Sequence, residues 1–242
     1  MEREIDVSAN MDDLLYQAAQ RITAAAERAV RERGEFSFVL SGGHTPQGLY
    51  MLLAREPYRL LVDWKKVSVY FGDERCVAPD SDQSNFRMAN ESLLSKAPIP
   101  PERIFRMRGE IDPQEAAKEY GELLKSRFGE KGPDMILLGM GDDGHTASLF
   151  PGAEALRERK HRCVATHVEK LNAWRITMTA PFINRAAAVM IMVAGRGKAS
   201  RVKEVLEGPS DPERLPIQMI QPESGTLTWL LDAGAAGMFE EE

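Results

Sequence analysis

Met135-Ile-Leu-Leu-Gly-Met-Gly-Asp-Asp-Gly-His-Thr-Ala-Ser-Leu-Phe-Pro-Gly152 is the most informative stretch of the chain. Residues 136–138 form an apolar run that is too short for a helix, so they predict a buried parallel strand. Three glycines between 139 and 144 then allow a sharp turn. His145 follows at the carboxyl end of the strand, where open α/β sheets bind ligands, and a histidine changes charge near neutral pH. We therefore expect the chemistry of this protein at His145.

Two other interpretations of this turn need weighing. Its glycine spacing matches a dinucleotide-binding fingerprint, but Asp142 and Asp143 would lie where the pyrophosphate binds. Pro151 also leaves only about six residues for the helix that such a unit requires. The second alternative is a structural histidine that bonds to the backbone. The glycines and acids before His145 instead favour an exposed loop position.

Composition narrows the class of protein. The 242 residues, 43% of them hydrophobic, suffice for a single α/β domain over 1–242, with a flexible acidic tail at about 234–242. The net charge of −6 disfavours general binding to nucleic acid or to anionic membranes, although it leaves room for a local basic pocket. The chain has no apolar run of about 18 residues, and its first residues are charged rather than typical of a signal peptide. We therefore expect a cytoplasmic protein. Cys76 and Cys163 form no Cys-x-x-Cys motif and are expected to be reduced.

A second candidate site element lies near the start of the chain. Phe36–Leu40 predicts a strand that runs into Ser41-Gly-Gly-His-Thr-Pro46 and then into a helix over 47–55. Free N–H groups and the positive helix end would converge there on an anion, with the Ser41 and Thr45 hydroxyls nearby. No Gly-Lys-Ser/Thr follows, so the pattern favours a monophosphate over a nucleoside triphosphate. The loop by itself fits an ordinary βα turn equally well.

Charged residues follow the next predicted strand. Val67–Phe71 ends in Gly72-Asp-Glu-Arg75, which places three ionisable groups at a strand's carboxyl end and so in the same crevice. For Glu74 we favour a structural role, in an ion pair with arginine that caps a loop. Asn85, within a predicted helix over 84–94, either faces this loop or is solvated.

Helical spacing of apolar residues predicts scaffold helices over 10–33 and 113–128. Asn10 is the expected N-cap of the first helix, and Gly34 its stop. These segments cover the sheet.

The carboxyl-terminal part predicts two more strands, at 175–181 and 187–194. The second leads into Gly195-Arg-Gly-Lys198 and a helix, so Lys198 lies near a helix N-terminus, where a cation is mildly unfavourable unless an anion sits between them. The charge run at 157–162 is typical of a solvated surface.

Five motifs, spread over nearly the whole chain, carry a resemblance to a known family. They are Ser41-Gly-Gly-x-Thr-Pro46, Gly72-Asp-Glu-Arg75, Gly139-x-Gly-x-Asp-Gly-His-Thr-Ala-Ser-Leu-Phe-Pro-Gly152, Arg175-x-Thr177 and Gly195-x-Gly-Lys198. Together they resemble the 6-phosphogluconolactonase family, which is related to the glucosamine-6-phosphate deaminases. The long central motif is the specific one.

The fold we expect is α/β: a single-domain, open, mostly parallel twisted sheet with helices on both faces, Rossmann-like and doubly wound. The resemblance implies that His145 is the general base and that Asp73 and Arg75 act near the sugar. It implies a substrate and phosphate site formed by Ser41, Gly42, Gly43, Thr45, Asn85, Arg175 and Lys198.

The implied reaction is hydrolysis of 6-phospho-D-glucono-1,5-lactone to 6-phospho-D-gluconate, the second step of the oxidative pentose phosphate pathway. The backbone amides of 141–144, or Arg75, are the candidate donors to the oxyanion. An ester carbonyl is already electrophilic and the sequence presents no carboxylate and histidine ligand set, so we expect neither a metal nor another cofactor. The expected partner is the small sugar-phosphate lactone, without nucleic acid or membrane, and the chain is expected to be a monomer or a weak homodimer.

Two alternative functions remain at this point. In the related deaminases the corresponding motif resembles Gly-x-Asp-Gly-His-x-Ala-Phe-Asn-Glu-Pro. Its glutamate, five residues after the histidine, supports ring opening. Phe150 occupies that position here and cannot move a proton. The other alternative is a non-catalytic sugar-phosphate-binding regulator, against which the presence of His145 and Asp73 speaks.

Overall fold

Two β-sheets, one of six strands and one of three, form the framework of residues 3–237, the part of the chain that the computed structural model describes. The strands are β1 (Arg3–Ser8), β2 (Phe36–Leu40), β3 (Val67–Phe71), β4 (Asp73–Arg75), β5 (Met135–Gly139), β6 (Cys163–Val168), β7 (Ala173–Met178), β8 (Ala188–Val193) and β9 (Thr226–Asp232). The larger sheet has the order β1-β9-β8-β5-β2-β3, and each neighbouring pair in it is parallel. Parallel neighbours require crossover connections, which the helices provide.

The helices are α1 (Met11–Arg33), α2 (His44–Leu53), α3 (Tyr58–Leu61), α4 (Asn85–Ala89), α5 (Pro113–Phe128), α6 (Ala180–Ile183) and α7 (Ala199–Glu207). A π-helical turn over Asn90–Leu94 continues α4, and a 3-10 turn over Arg196–Lys198 precedes α7.

Side chains of the larger sheet alternate between two hydrophobic layers. Phe38 and Leu137 belong to the layer that α1 and α2 cover, whereas Val39 and Leu138 belong to the layer that α5 and α7 cover. All four side chains are almost completely buried, and each such burial stabilises the fold by about 1.5–3 kcal/mol relative to exposure. Because helices cover both faces of the sheet, the central strands β5 and β8 are apolar on both faces, whereas the edge strand β1 alternates charged and apolar residues. The predicted α/β class is confirmed.

Local signals placed several elements correctly. The predicted bounds of β2, β3 and α5 agree with the structure. The Asn10 side chain accepts a hydrogen bond from the Asp13 amide at 2.9 Å, which caps α1 as predicted. Gly34 ends that helix in the left-handed region, with φ of 82°. The helix that follows the glycine loop begins at His44 instead of at residue 47, so Pro46 lies in its first turn.

The smaller sheet was not predicted. It has the order β4-β7-β6 and is antiparallel, with Asp73 opposite Thr177 and Arg75 opposite Arg175. The segment 73–75 was expected to be a loop, and neither β6 nor the edge strand β1 was expected at all. A three-residue strand of charged side chains has no hydrophobic alternation, so nothing in its own sequence marks it.

The order of strands defines the place where a ligand is expected. From β2 the chain continues to β3 on one side, whereas β5, β8 and β9 extend the sheet on the other side. The connections therefore reverse between β2 and β5, and such a switch point opens a crevice at the carboxyl ends of the strands. The loops 41–43 and 140–146 leave the sheet there.

The end of the chain differs from the expected flexible tail at 234–242. Residues 234–237 form a turn in which Ala235 is fully buried and donates its amide to Asp232 Oδ1 at 2.7 Å. Residues 238–242 lie outside the described residues. Of the helices in the described part of the chain, none is long and apolar enough to cross a membrane.

Candidate active site

A cavity of about 370 Å³ lies at the carboxyl ends of β2, β5 and β8. Nine of the ten site residues predicted from the sequence line it, namely Ser41, Gly42, Gly43, Thr45, Asp73, Arg75, Asn85, His145 and Lys198. A larger cleft of about 940 Å³ lies elsewhere, between α5 and the segment 154–165. It contains none of the predicted site residues, so the smaller cavity is the candidate site.

Arg175 is the predicted site residue that does not line the cavity. It lies on β7 in register with Arg75 on β4, and its Nη1 donates to the Trp174 carbonyl at 3.1 Å. Burial lowers the pKa of Arg175, and the neighbouring Arg75 cation lowers it further. Two guanidinium groups are therefore close together at the edge of the site.

His145 is oriented by an acid that the sequence analysis did not assign to the site. Its Nδ1 lies 2.5 Å from Asp143 Oδ1, and the same oxygen accepts the His145 amide at 3.2 Å. The imidazole also packs against Gly141, where a Cβ atom would lie 2.1 Å from the ring. Asp143 thereby occupies one ring nitrogen and leaves Nε2 available to a ligand in the cavity.

The Asp143 carboxylate has a second cationic partner. Lys170, in the turn between β6 and β7, donates its ammonium to Asp143 Oδ2. Burial raises the pKa of Asp143, but the hydrogen bonds from His145 and Lys170 outweigh it and hold that pKa well below its ordinary range. Asp143 is thus a carboxylate anion at any pH at which the protein is expected to work.

Phe150, the residue that replaces the deaminase glutamate, packs directly on the histidine. The two rings are stacked, with centroids 4.1 Å apart and an interplanar angle of 23°. The phenyl ring is 8% exposed, whereas the His145 side chain is 27% exposed. Phe150 therefore shields one face of the imidazole and limits its rotation.

Asp73 is held in the cavity wall by neutral donors. Ser148 Oγ donates to its Oδ2 at 2.7 Å, and Asn85 Nδ2 donates to its Oδ1 at 3.1 Å. Thr177, opposite Asp73 in the antiparallel pair, accepts the Ser148 amide at 3.2 Å. Asn85 thus faces the site, which resolves the choice that the sequence left open. Its amide fills the space beside Gly42, where a Cβ atom would lie 2.0 Å from Asn85 Oδ1.

Glu74, one residue further along the strand, supports the loop rather than the chemistry. It is 3% exposed, and its carboxylate accepts the amides of Arg75, Asn85 and Phe86 at 2.7–2.8 Å. Burial raises its pKa. These contacts agree with a structural role for Glu74, but the predicted ion pair with an arginine is wrong, because the partners are backbone amides and the Ser84 hydroxyl.

The glycine loop and Lys198 form the opposite wall. The Tyr50 hydroxyl accepts the Ser41 amide and donates to the Ser41 carbonyl, both at 2.8 Å, which braces the loop. Gly43, with φ of 107°, is the N-cap residue of α2. No side chain within residues 3–237 accepts a hydrogen bond from the first turn of this helix. Lys198 Nζ donates to the Met140 carbonyl at 3.0 Å and pairs with Asp142 at 2.5 Å. An ammonium and the positive end of a helix therefore line the same cavity, which is an arrangement that binds anions.

Comparison with known proteins gives consistent results over nearly the whole length. A model of the glucosamine-6-phosphate isomerases/6-phosphogluconolactonase family matches residues 9–229. A 6-phosphogluconolactonase from a Synechocystis species is 40% identical over 241 residues, a match that covers 97% of this chain and 98% of the relative. The solved structure of 6-phosphogluconolactonase from Trypanosoma brucei has a TM-score of 0.87 at 28% identity, covering 99% of both chains. A monomeric glucosamine-6-phosphate deaminase has a TM-score of 0.81 at 23% identity, covering 99% of this chain and 100% of the other, and shares the fold.

Proposed function

Because the chain belongs to the family of glucosamine-6-phosphate isomerases and 6-phosphogluconolactonases, we propose that it hydrolyses 6-phospho-D-glucono-1,5-lactone with His145 as the general base. The product is 6-phospho-D-gluconate, and the reaction belongs to the oxidative pentose phosphate pathway. The observation that carries the proposal is the contact between His145 Nδ1 and Asp143, beside a cavity lined by anion-binding groups.

The histidine supplies both proton transfers. With Nδ1–H bonded to the Asp143 carboxylate, Nε2 accepts a proton from water as the water oxygen attacks C1 of the lactone. The resulting imidazolium is stabilised by Asp143 and then protonates the ring oxygen, which leaves as the C5 hydroxyl. General acid and base catalysis of this kind is worth ~10²–10⁴-fold.

We assign the phosphate end of the substrate to the cavity wall that the glycine loop 41–43 and Lys198 form. Lys198 and the uncapped start of α2 line the cavity directly. Arg175 lies beside Arg75, and no carboxylate in the described part of the chain forms an ion pair with either side chain. A phosphate bound by Arg175 would offset the repulsion that the neighbouring Arg75 cation exerts on it, which is why we assign Arg175 to the phosphate although it lies outside the cavity wall.

The sugar end is assigned to Asp73. Its two oxygens each accept one hydrogen bond from the protein, and a carboxylate has capacity for about four. The remaining capacity can accept hydroxyl groups of the sugar. Asn85 and Ser148 then act as supports that fix the position of this carboxylate.

We assign the oxyanion donor to Arg75, because two of the four amides of the 141–144 turn are already engaged. The amides of Gly141 and Gly144 already donate within the turn, to the carbonyls of His145 and Gly141 at 2.9 and 3.0 Å. Arg75 lines the cavity and uses Nη1 for the Gln83 carbonyl at 2.5 Å, which leaves other N–H groups for the substrate.

Lactone hydrolysis is favoured over deamination by the residue at position 150. A lactonase needs one base for a single attack on an existing ester, whereas ring opening of an amino-sugar needs a further proton carrier. Phe150 stacks on the imidazole and has no transferable proton.

The test compares two substrates with the purified protein. Freshly generated 6-phosphogluconolactone should be hydrolysed well above its spontaneous rate, and glucosamine 6-phosphate should release no measurable ammonia. Ammonia release at a rate comparable to lactone turnover would assign the protein to the deaminase branch. Phosphate-ester binding without either turnover would indicate a non-catalytic regulator.

A further inference from the structure

The turn between β6 and β7 reaches back to the catalytic histidine through one side chain. Lys170 lies in the 3-10 turn Glu169–Leu171, which connects the antiparallel strands β6 and β7, whereas His145 lies on the turn that follows β5 of the larger sheet. Its ammonium bonds Asp143 Oδ2 and lies 4.9 Å from the centroid of the Phe150 ring.

These contacts form a closed ring of four side chains. His145 bonds one oxygen of Asp143, Lys170 bonds the other, Lys170 contacts Phe150, and Phe150 stacks on His145. Each oxygen of the carboxylate is therefore held by a different cationic or potentially cationic group. Rotation of Asp143 away from the imidazole would break the contact with Lys170 as well.

We propose that Lys170 is a positioning residue, which holds Asp143 against Nδ1 of the imidazole and opposes protonation of His145, so that the base stays neutral at lower pH. This inference deepens the proposed function and rests on it for its catalytic meaning. An isolated carboxylate next to a histidine favours the imidazolium, which cannot accept a proton from water. A second cation on the same carboxylate offsets part of that effect while leaving the orienting hydrogen bond in place.

The side chain of Lys170 is 53% exposed, so the ion pair is screened by solvent and contributes little to folding stability. We expect the charge of Lys170 to affect mainly the protonation of His145. Lys170→Met should therefore fold normally, which makes the variant informative.

Other charged groups also face His145, and the test leaves them unchanged. Besides Asp143 they are Asp142 on the same turn, Lys198 and Arg201 around Asp142, Asp73 and Arg75 from β4, and His44 at the start of α2. Since these groups are common to all variants, a difference between variants reports Lys170 alone.

The experiment uses two readouts on the full chain. The first is the pH profile of kcat/KM for lactone hydrolysis. The second, independent of turnover, is an NMR titration of the His145 ring, which is assigned by its absence in a His145→Gln variant among only four histidines. Lys170→Arg keeps the charge, and Lys118→Met removes a lysine that lines the larger, separate cleft.

In Lys170→Met the acid limb of the profile and the midpoint of the His145 titration should both rise by about 0.5–1 pH unit. Lys170→Arg should restore the wild-type profile, and Lys118→Met should leave both readouts unchanged. A loss of activity at every pH with an unmoved limb and midpoint would overturn the inference and leave Lys170 a merely structural residue. If the wild-type protein fails to hydrolyse the lactone, the proposed function falls, but the NMR midpoint still decides whether Lys170 controls the protonation of His145.

Discussion

Replacement of Asp143 by asparagine tests the catalytic assignment most directly. The substitution keeps the shape of the side chain but removes the negative charge that lies 2.5 Å from His145 Nδ1. The two side chains are 27% and 28% exposed, so an effective dielectric constant of about 20–40 applies. At a charge separation of about 4 Å, the lost stabilisation of the imidazolium is then about 2–4 kcal/mol.

That loss corresponds to a decrease of roughly 30- to 1000-fold in kcat/KM. Because the carboxylate favours the protonated ring, its removal should also shift the acid limb of the pH profile to lower pH, opposite to the shift expected for Lys170→Met. The assay is hydrolysis of freshly generated lactone across pH, corrected for the spontaneous rate. Asp63→Asn, which removes an exposed carboxylate before the amino end of β3, is the matched control. An Asp143→Asn variant that kept more than half of the wild-type kcat/KM, or whose acid limb did not move, would refute the reasoning.

Four further substitutions and one chelator treatment have defined expected outcomes. His145→Ala should lose at least ~10²-fold in kcat with the fold intact by circular dichroism, and retention of more than about a tenth of the activity would contradict its role as the base. Gly141→Ala should lose activity to a similar degree, because a methyl group 2.1 Å from the imidazole displaces the ring, and a fully active variant would show that ring placement is not critical. Arg175→Ala and Lys198→Ala should each weaken binding of the phosphorylated lactone by about 1.5–3 kcal/mol but spare plain gluconolactone, and equal losses on both substrates would exclude a phosphate-binding role. Treatment with a chelator should leave activity unchanged, and a loss restored by Zn²⁺ or Mn²⁺ would overturn the metal-free mechanism.

Elements with strong local signals could be predicted from the sequence. The strands β2 and β3 are fully buried apolar runs bounded by glycine or charged residues, and α1 carries both an N-cap and a left-handed glycine stop. Such signals depend on residues close together in the chain, so they can be recognised without knowing the partners. The same holds for most of the site. Strands of a parallel sheet end at a common edge, and the residues just after β2, β3, β5 and β8 had to converge there.

The smaller sheet and the hydrogen bonds that support the candidate site residues could not be predicted in this way. Three charged residues, 73–75, form a strand because they pair with residues of the antiparallel strand β7 that lie 100 to 104 positions later in the chain. The donor that fixes Asp73, Ser148, is 75 positions away in the chain. Contacts between residues so far apart in the chain cannot be recognised from local sequence periodicity.

His145 illustrates where the boundary between the two lies. The residue types, the glycines that make room for the ring, and the location after a buried strand are all properties of one short segment, and they were sufficient to single out the histidine as the candidate base. Its orientation depends on the hydrogen bond to Asp143, on the stacking with Phe150, and on Lys170, which lies 27 positions from Asp143 in the turn between β6 and β7. The sequence alone determined which candidate groups lie near this edge of the sheet, because local backbone geometry follows from neighbouring residues. The direction of each side chain and the charge of its surroundings were set by tertiary packing, since hydrogen bonds and Coulomb interactions depend on distances in space, which the order of residues does not contain.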